Sequence, residues 1–133
     1  MILLDASAVL GYLQNEPGWE IIASEILTGH AHLSLVNQTE VLSKLCDWGM
    51  GWQDAQKTLN KLALQTEPFT AETALEAARL RPLTRAHGLS LGDRACVATA
   101  RLRQCPVLTG DRPWLALAAE LNLKITSFRP SAH

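Results

Sequence analysis

Residues 1–10 read MILLDASAVL. The apolar run Met1–Leu4 has the length and character of a short buried strand. Asp5 ends it, and ASAVLGYL (residues 6–13) then shows helical character. The same alternation continues along the chain. PGWEIIASEILTG (17–29) reads as a helix opened by Pro17 and closed by Gly29, and AHLSL (31–35) as a second strand. NQTEVLSKLCDW (37–48) and WQDAQKTLNKLALQ (52–65) read as two helices broken around Gly49 and Gly51. LQTEPF (64–69) offers a further short strand. TAETALEAARLRPLTRAHG (70–88) starts at an N-cap, Thr70, and breaks near Pro82. SLGDRACVATARL (90–102) is a helix, PVLT (106–109) a strand, PWLALAAELN (113–122) a helix and KITSF (124–128) a last strand. Short apolar strands alternating with helices predict a mainly parallel sheet covered on both faces. The expected architecture is a single α/β/α sandwich over residues 1–133, with an extra helical hairpin.

Composition narrows the function. The 133 residues are 47% hydrophobic and 19% charged, an ordinary globular mixture that excludes a disordered chain. Lys+Arg 12 against Asp+Glu 13 gives a net charge of −1, which argues against a nonspecific nucleic-acid binder working by bulk charge. Cys46, Cys96 and Cys105 share no metal-ligand spacing and read as reduced thiols of a cytoplasmic protein. The N-terminus has no basic segment before its apolar run and meets Asp5 early, so neither a signal peptide nor a membrane span is expected. RPSAH (129–133) reads as a loose tail.

Ligands of open parallel sheets bind beyond the carboxyl ends of the strands. Asp5 ends the first strand and Asp111 follows PVLTG, so both carboxylates fall at such ends. Each has a plain alternative: Asp5 as the N-cap of the next helix, Asp111 as a turn residue. Asp93 heads a helix that is apolar on two sides. Leu91, Ala95, Ala98 and Leu102 make one stripe, and Asp93 shares another with Val97 and Ala100. The sequence S-x-x-D also makes Ser90 and Asp93 a capping box, a role compatible with ligation. Spacing alone makes Glu40 a solvated residue, opposite the stripe Val41, Leu42 and Leu45, with Asn37 as cap and Lys44 as an i,i+4 partner. Carboxylates brought together repel unless cations neutralise them, and an all-oxygen acidic site suits Mg²⁺ or Mn²⁺.

The order Asp5, Glu40, Asp93, Asp111 resembles the four-acid signature of PIN-domain ribonucleases, and within that family the VapC-type toxins of toxin–antitoxin pairs. LLDASAVLGYLQNEPGWE, LSLVNQTEVLSKL, LSLGDRACVATARL and PVLTGDRPW resemble the four successive motif segments, and the likeness spans essentially the whole chain. It implies metal-binding catalytic carboxylates at Asp5, Glu40, Asp93 and Asp111. Ser7 and Thr109 become hydroxyls that orient them, and the promotion of Glu40 rests on the likeness alone. It further implies Mg²⁺- or Mn²⁺-dependent hydrolysis of RNA to a 3′-hydroxyl and a 5′-phosphate, inhibition by a cognate antitoxin, and a homodimer. Arg94 and Arg112, each beside a motif aspartate, are the candidate phosphate contacts. Trp19, Trp48, Trp52 and Trp114 are candidates for base stacking or, more plainly, for packing. His30, His32, His87 and His133 lie away from the acidic motifs and read as surface or turn residues. Three other readings compete, one of them a PIN-domain nuclease outside any toxin pair. A phosphatase of the haloacid dehalogenase type also opens with a strand-end Asp, but Ser7 stands where that motif has a second Asp. GDRPWL also has no acid four residues after Asp111. A noncatalytic PIN-like interaction module would have lost an acid, and all four are present.

Overall fold

Five short strands form one sheet: β1 (Ile2–Leu4), β2 (Ala31–Ser34), β3 (Gln65–Glu67), β4 (Val107–Thr109) and β5 (Ile125–Ser127). They are seen in a computed structural model that describes residues 1–130. Their order is β3-β2-β1-β4-β5 and every pairing is parallel, as the alternating pattern predicts. β1 is central, and side chains alternate across it. Leu3 therefore enters one core with Val97, Trp114 and Leu117, while Leu4 enters the other with Val9, Val41 and Phe128. Both leucines are fully buried, each contributing about 2 kcal/mol of hydrophobic stabilisation.

Helices cover both faces. On the Leu4 side lie α1 (Ala6–Leu13), α2 (Trp19–Leu27), α3 (Leu35–Asp47) and α4 (Trp52–Asn60), with α3 and α4 forming the expected hairpin. On the Leu3 side lie α5 (Ala71–Arg79), α7 (Leu91–Arg103), a 3₁₀ helix (Arg112–Leu117) and α8 (Ala118–Leu121). The break near Pro82 falls at Leu80, and a short α6 (Arg81–Thr84) carries Pro82 in its first turn. The chain goes from β1 outward to β2 and β3, then returns to the other side of β1 for β4 and β5. The strand order thus reverses between β1 and β4, and α1 and the 3₁₀ helix leave these two strands on opposite faces. Open parallel sheets bind their ligands at the carboxyl ends of the strands at such a reversal.

Several local expectations change. α2 begins at Trp19 behind Gly18, whose φ of 97° only glycine adopts comfortably, so Pro17 precedes the cap instead of opening the helix. α3 begins two residues before Asn37, with Ser34 as its N-cap. In α7 the stripe of Leu91 and Leu102 is exposed at both ends, while Ala95 to Ala100 are buried all round; small side chains let neighbours close on every side. His32 is not on the surface. Its Nδ1 lies 3.1 Å from Glu67 Oε2 between β2 and β3, and Arg103 donates to Glu67 Oε1 at 2.8 Å, which accounts for a buried glutamate. The tail expected from residue 129 is anchored at Arg129, which binds Glu16 and the Gly110 carbonyl. Residues 131–133, with His133, lie outside the described residues. The three cysteines are free thiols, Cys96 and Cys105 buried. No helix among the described residues is long and apolar enough to cross a membrane.

Candidate acidic site

The switch point between β1 and β4 is built on Asp5. It is the N-cap of α1 and 3% exposed. Its Oδ1 accepts from the Ala8 N–H at 2.9 Å and its Oδ2 from the Thr109 hydroxyl at 2.6 Å; the Ser7 hydroxyl reaches both oxygens, at 2.7 and 2.9 Å. Three donors thus serve the carboxylate, with two contacts on each oxygen. Burial dominates its titration and raises it to about 6, against the lowering effect of the Thr109, Ser7 and Ala8 hydrogen bonds; the Asp93 charge raises it further. The same two hydroxyls are acceptors on their other side. Ser7 Oγ takes the Gly110 N–H and Thr109 Oγ1 takes the Asp111 N–H, each at 2.9 Å. The end of β4 is thereby hung on the carboxylate at the end of β1.

Asp93 enters from the first turn of α7. Ser90 Oγ accepts from the Asp93 N–H at 3.2 Å and Asp93 Oδ2 accepts from the Ser90 N–H at 2.9 Å, the reciprocal box expected from the sequence. Burial pushes the Asp93 carboxyl up, and the Asp111 charge adds to this, against the cap hydrogen bonds and the Arg94 charge. Glu40 departs from the spacing-based reading and is half-buried, because α3 and α7 cross where it sits. Asn37, itself 1% exposed, donates to Glu40 Oε1 at 2.7 Å and to the Gly92 carbonyl at 3.1 Å. Burial raises the Glu40 carboxyl, the Asn37 hydrogen bond lowers it, and the Asp93 charge raises it. No ion pair joins Glu40 to Lys44 among the described residues. Asp111, half-buried, stands at the start of the 3₁₀ helix.

Asp93 is therefore the common neighbour, feeling or imposing charge on Asp5, Glu40 and Asp111. Sequence reasoning misses two site residues here. Asn37 reads only as a cap. Gly92 shows only as a glycine before Asp93, yet it is the gap that admits the Glu40 carboxylate. Of the two arginines, Arg94 donates to the Ala77 carbonyl of α5 at 2.9 Å and Arg112 is exposed. Trp114 is core, while Trp48 and Trp52 are about half exposed.

The donor chemistry fits a hard divalent cation. All four side chains offer carboxylate oxygen, and the three that burial raises favour a positive charge among them. Among the described residues, however, no three carboxylate, His or Cys side chains lie close enough together for a shared coordination sphere.

Known proteins share this architecture. A toxin–antitoxin complex from Klebsiella pneumoniae contains a chain similar at TM-score 0.74 and 16% identity, covering 98% of this chain and 100% of that one. A FitAB structure bound to an IR36 DNA fragment gives TM-score 0.73 and 22% identity over 100% and 99% of the two chains. VapBC2 from Rickettsia felis, bound to a DNA fragment from its promoter, gives 0.72 and 14% over 96% and 98%. At these identities the likeness is one of fold. No curated protein matches the chain in sequence. The family model described as PIN domain matches residues 2–121, from the first strand through α8 and across all four acids, and the chain belongs to that family.

Proposed function

We propose that this protein is a divalent-metal-dependent endoribonuclease, the VapC-type toxin of a toxin–antitoxin pair. The observation that carries the reading is the placement of Asp5, Glu40, Asp93 and Asp111 around the switch point of a parallel sheet, with Asp93 electrostatically linked to the other three. On this reading Mg²⁺ or Mn²⁺ binds among these carboxylates, which draw closer to share one coordination sphere. When bound, such an ion supplies Lewis-acid stabilisation of charge on phosphoryl oxygens.

The chain's own part is positioning. Ser7 and Thr109 fix the Asp5 carboxylate and, through their lone pairs, the approach of Asp111. The Ser90 cap fixes Asp93, and Asn37 fixes Glu40. Pre-set carboxylates matter because displacements of about 1 Å cost rates of order 100-fold. Arg112 and Arg94 are the phosphate contacts, Arg112 being the more accessible. Unpaired RNA is the substrate class, since its bases can be splayed apart to expose the backbone. Two of the structural relatives are described as toxin–antitoxin or VapBC assemblies, which supports an antitoxin as the inhibitor. A second copy of the chain is the proposed partner of the free toxin.

RNA cleavage by purified protein freed of any co-purifying partner tests the reading, run with Mg²⁺, Mn²⁺ or EDTA and beside Asp93→Asn. The expected result is cutting that needs metal and vanishes in the variant. Cutting that survives EDTA or the substitution would overturn the metal-dependent mechanism, and absence of both cutting and Mn²⁺ binding by calorimetry would overturn the reading in favour of a noncatalytic module.

A further inference from the structure

Two consecutive peptide planes carry the main chain from β4 to Asp111, and both are pinned on both sides. The plane between Thr109 and Gly110 gives its N–H to Ser7 Oγ at 2.9 Å, while its carbonyl accepts from the Phe128 N–H at 3.1 Å. The plane between Gly110 and Asp111 gives its N–H to Thr109 Oγ1 at 2.9 Å, while its carbonyl accepts from Arg129 Nη1 at 2.9 Å. The inner pins are the two hydroxyls that also bind Asp5. The outer pins are successive residues just past β5, beyond the segment the PIN family model matches.

Those outer residues are themselves seated. The Phe128 ring is 1% exposed, and a Cβ at Gly11 or Gly110 would come 2.5 or 2.8 Å from it. A side chain at Gly18 would run into the Phe128 carbonyl. Arg129 lies with its guanidinium carbon 5.5 Å from the centre of the Phe128 ring, and its Nε donates to Glu16 Oε2 at 3.1 Å. The guanidinium thus ties the α1–α2 connection to the carbonyl next to Asp111. A charged donor on a backbone carbonyl is among the stronger hydrogen bonds available at a surface.

We infer that Arg129 is a positioning residue for Asp111, with Phe128 and Glu16 as its footing, so that the C-terminal segment completes the acidic site from outside. Its catalytic consequence rests on the nuclease reading; its structural consequence does not. The metal-free protein therefore tests it first, by amide hydrogen exchange followed by NMR in wild type, Arg129→Ala, Arg129→Lys and Glu16→Gln. In Arg129→Ala the Asp111 amide is expected to exchange about tenfold faster, the scale of one lost hydrogen bond, with the Val97 amide in the core unchanged. Arg129→Lys is expected to restore part of the protection, and Glu16→Gln to lose part of it. RNA cleavage should follow, kcat falling in the same order with KM nearly constant. Unchanged Asp111 exchange in Arg129→Ala would overturn the inference even if the wild type cuts RNA. Faster Asp111 exchange in Arg129→Ala, beside a wild type that cuts no RNA, would keep the clamp and remove the nuclease reading. Should Arg129→Ala fail to fold, Glu16→Gln decides: an Asp111 amide as protected as in wild type would overturn the inference.

Discussion

The Glu40 carboxylate lies where a side chain on Gly92 would have to go. A Cβ at Gly92 would come 2.5 Å from Glu40 Oε2, and the Gly92 carbonyl shares the Asn37 amide with Glu40. Gly92→Ala is therefore expected to push the carboxylate aside while leaving α7 folded, since alanine is the better helix former. RNA cleavage should fall by roughly 100-fold, the cost of a misplacement near 1 Å, with the melting temperature nearly constant. A steady-state rate beside a thermal melt checks this; full activity in a folded variant would show that Glu40 has room to spare.

Asn37 makes the second case. Its buried amide joins three groups: it accepts from the Ser34 hydroxyl at 2.7 Å and donates to Glu40 and the Gly92 carbonyl. Asn37→Ala leaves a half-buried carboxylate and a backbone carbonyl without that donor, which costs about 1–3 kcal/mol. Urea unfolding is expected to show a lower midpoint with an unchanged slope. Asn37→Asp should be worse than Asn37→Ala, because it sets a second carboxylate against Glu40.

How much of this is legible in the residues? Most strands and helices are, because β1, β2 and β4 fall on their apolar runs and Gly29 and Gly49 follow the ends of α2 and α3. So are Asp5 and the Ser90–Asp93 box, whose roles are local and leave local patterns. Glu40 is not. Its burial comes from α3 crossing the first turn of α7, more than fifty residues away, and nothing near Glu40 in the chain encodes that contact. Family likeness alone singles it out. His32 misleads for the same reason: its partner Glu67 reaches it only through the pairing of β2 with β3. Arg129 looks like the start of a tail because its two partners, Glu16 and Gly110, are set by tertiary packing.

The titration of Asp5 gives a stability prediction. Folding raises its pKa from 3.8 to about 6, so the folded protein holds the proton more tightly than the unfolded chain. The resulting stabilisation is complete below pH 3.8 and is lost as the pH climbs through about 6. Glu40 and Asp93 shift in the same direction and steepen the loss. In metal-free buffer the protein should therefore weaken across this window. Asp5→Asn removes the Asp5 share and should gain up to about 3 kcal/mol near neutral pH, since each tenfold change in proton affinity is worth about 1.4 kcal/mol. Chemical denaturation across the window measures both slopes. Added Mn²⁺ should stabilise the wild type and not the variant.

Thr109→Val carries that argument one step further. The substitution keeps the shape but removes a donor to Asp5 Oδ2 and the acceptor of the Asp111 N–H. The lost donor served the charged form of Asp5, so its pKa should rise above that of the wild type. The destabilisation is then pH-dependent. Near pH 7.5, where Asp5 is ionised, it should reach about 1–3 kcal/mol, the cost of a buried group losing its partner. Near pH 4.5 a neutral carboxyl needs the donor less, and the penalty should shrink towards the part owed to Asp111. Urea unfolding of the pair at both pH values separates the contributions. Equal penalties at both would mean that Thr109 acts through packing and the Asp111 amide alone, with no hold on the charge of Asp5.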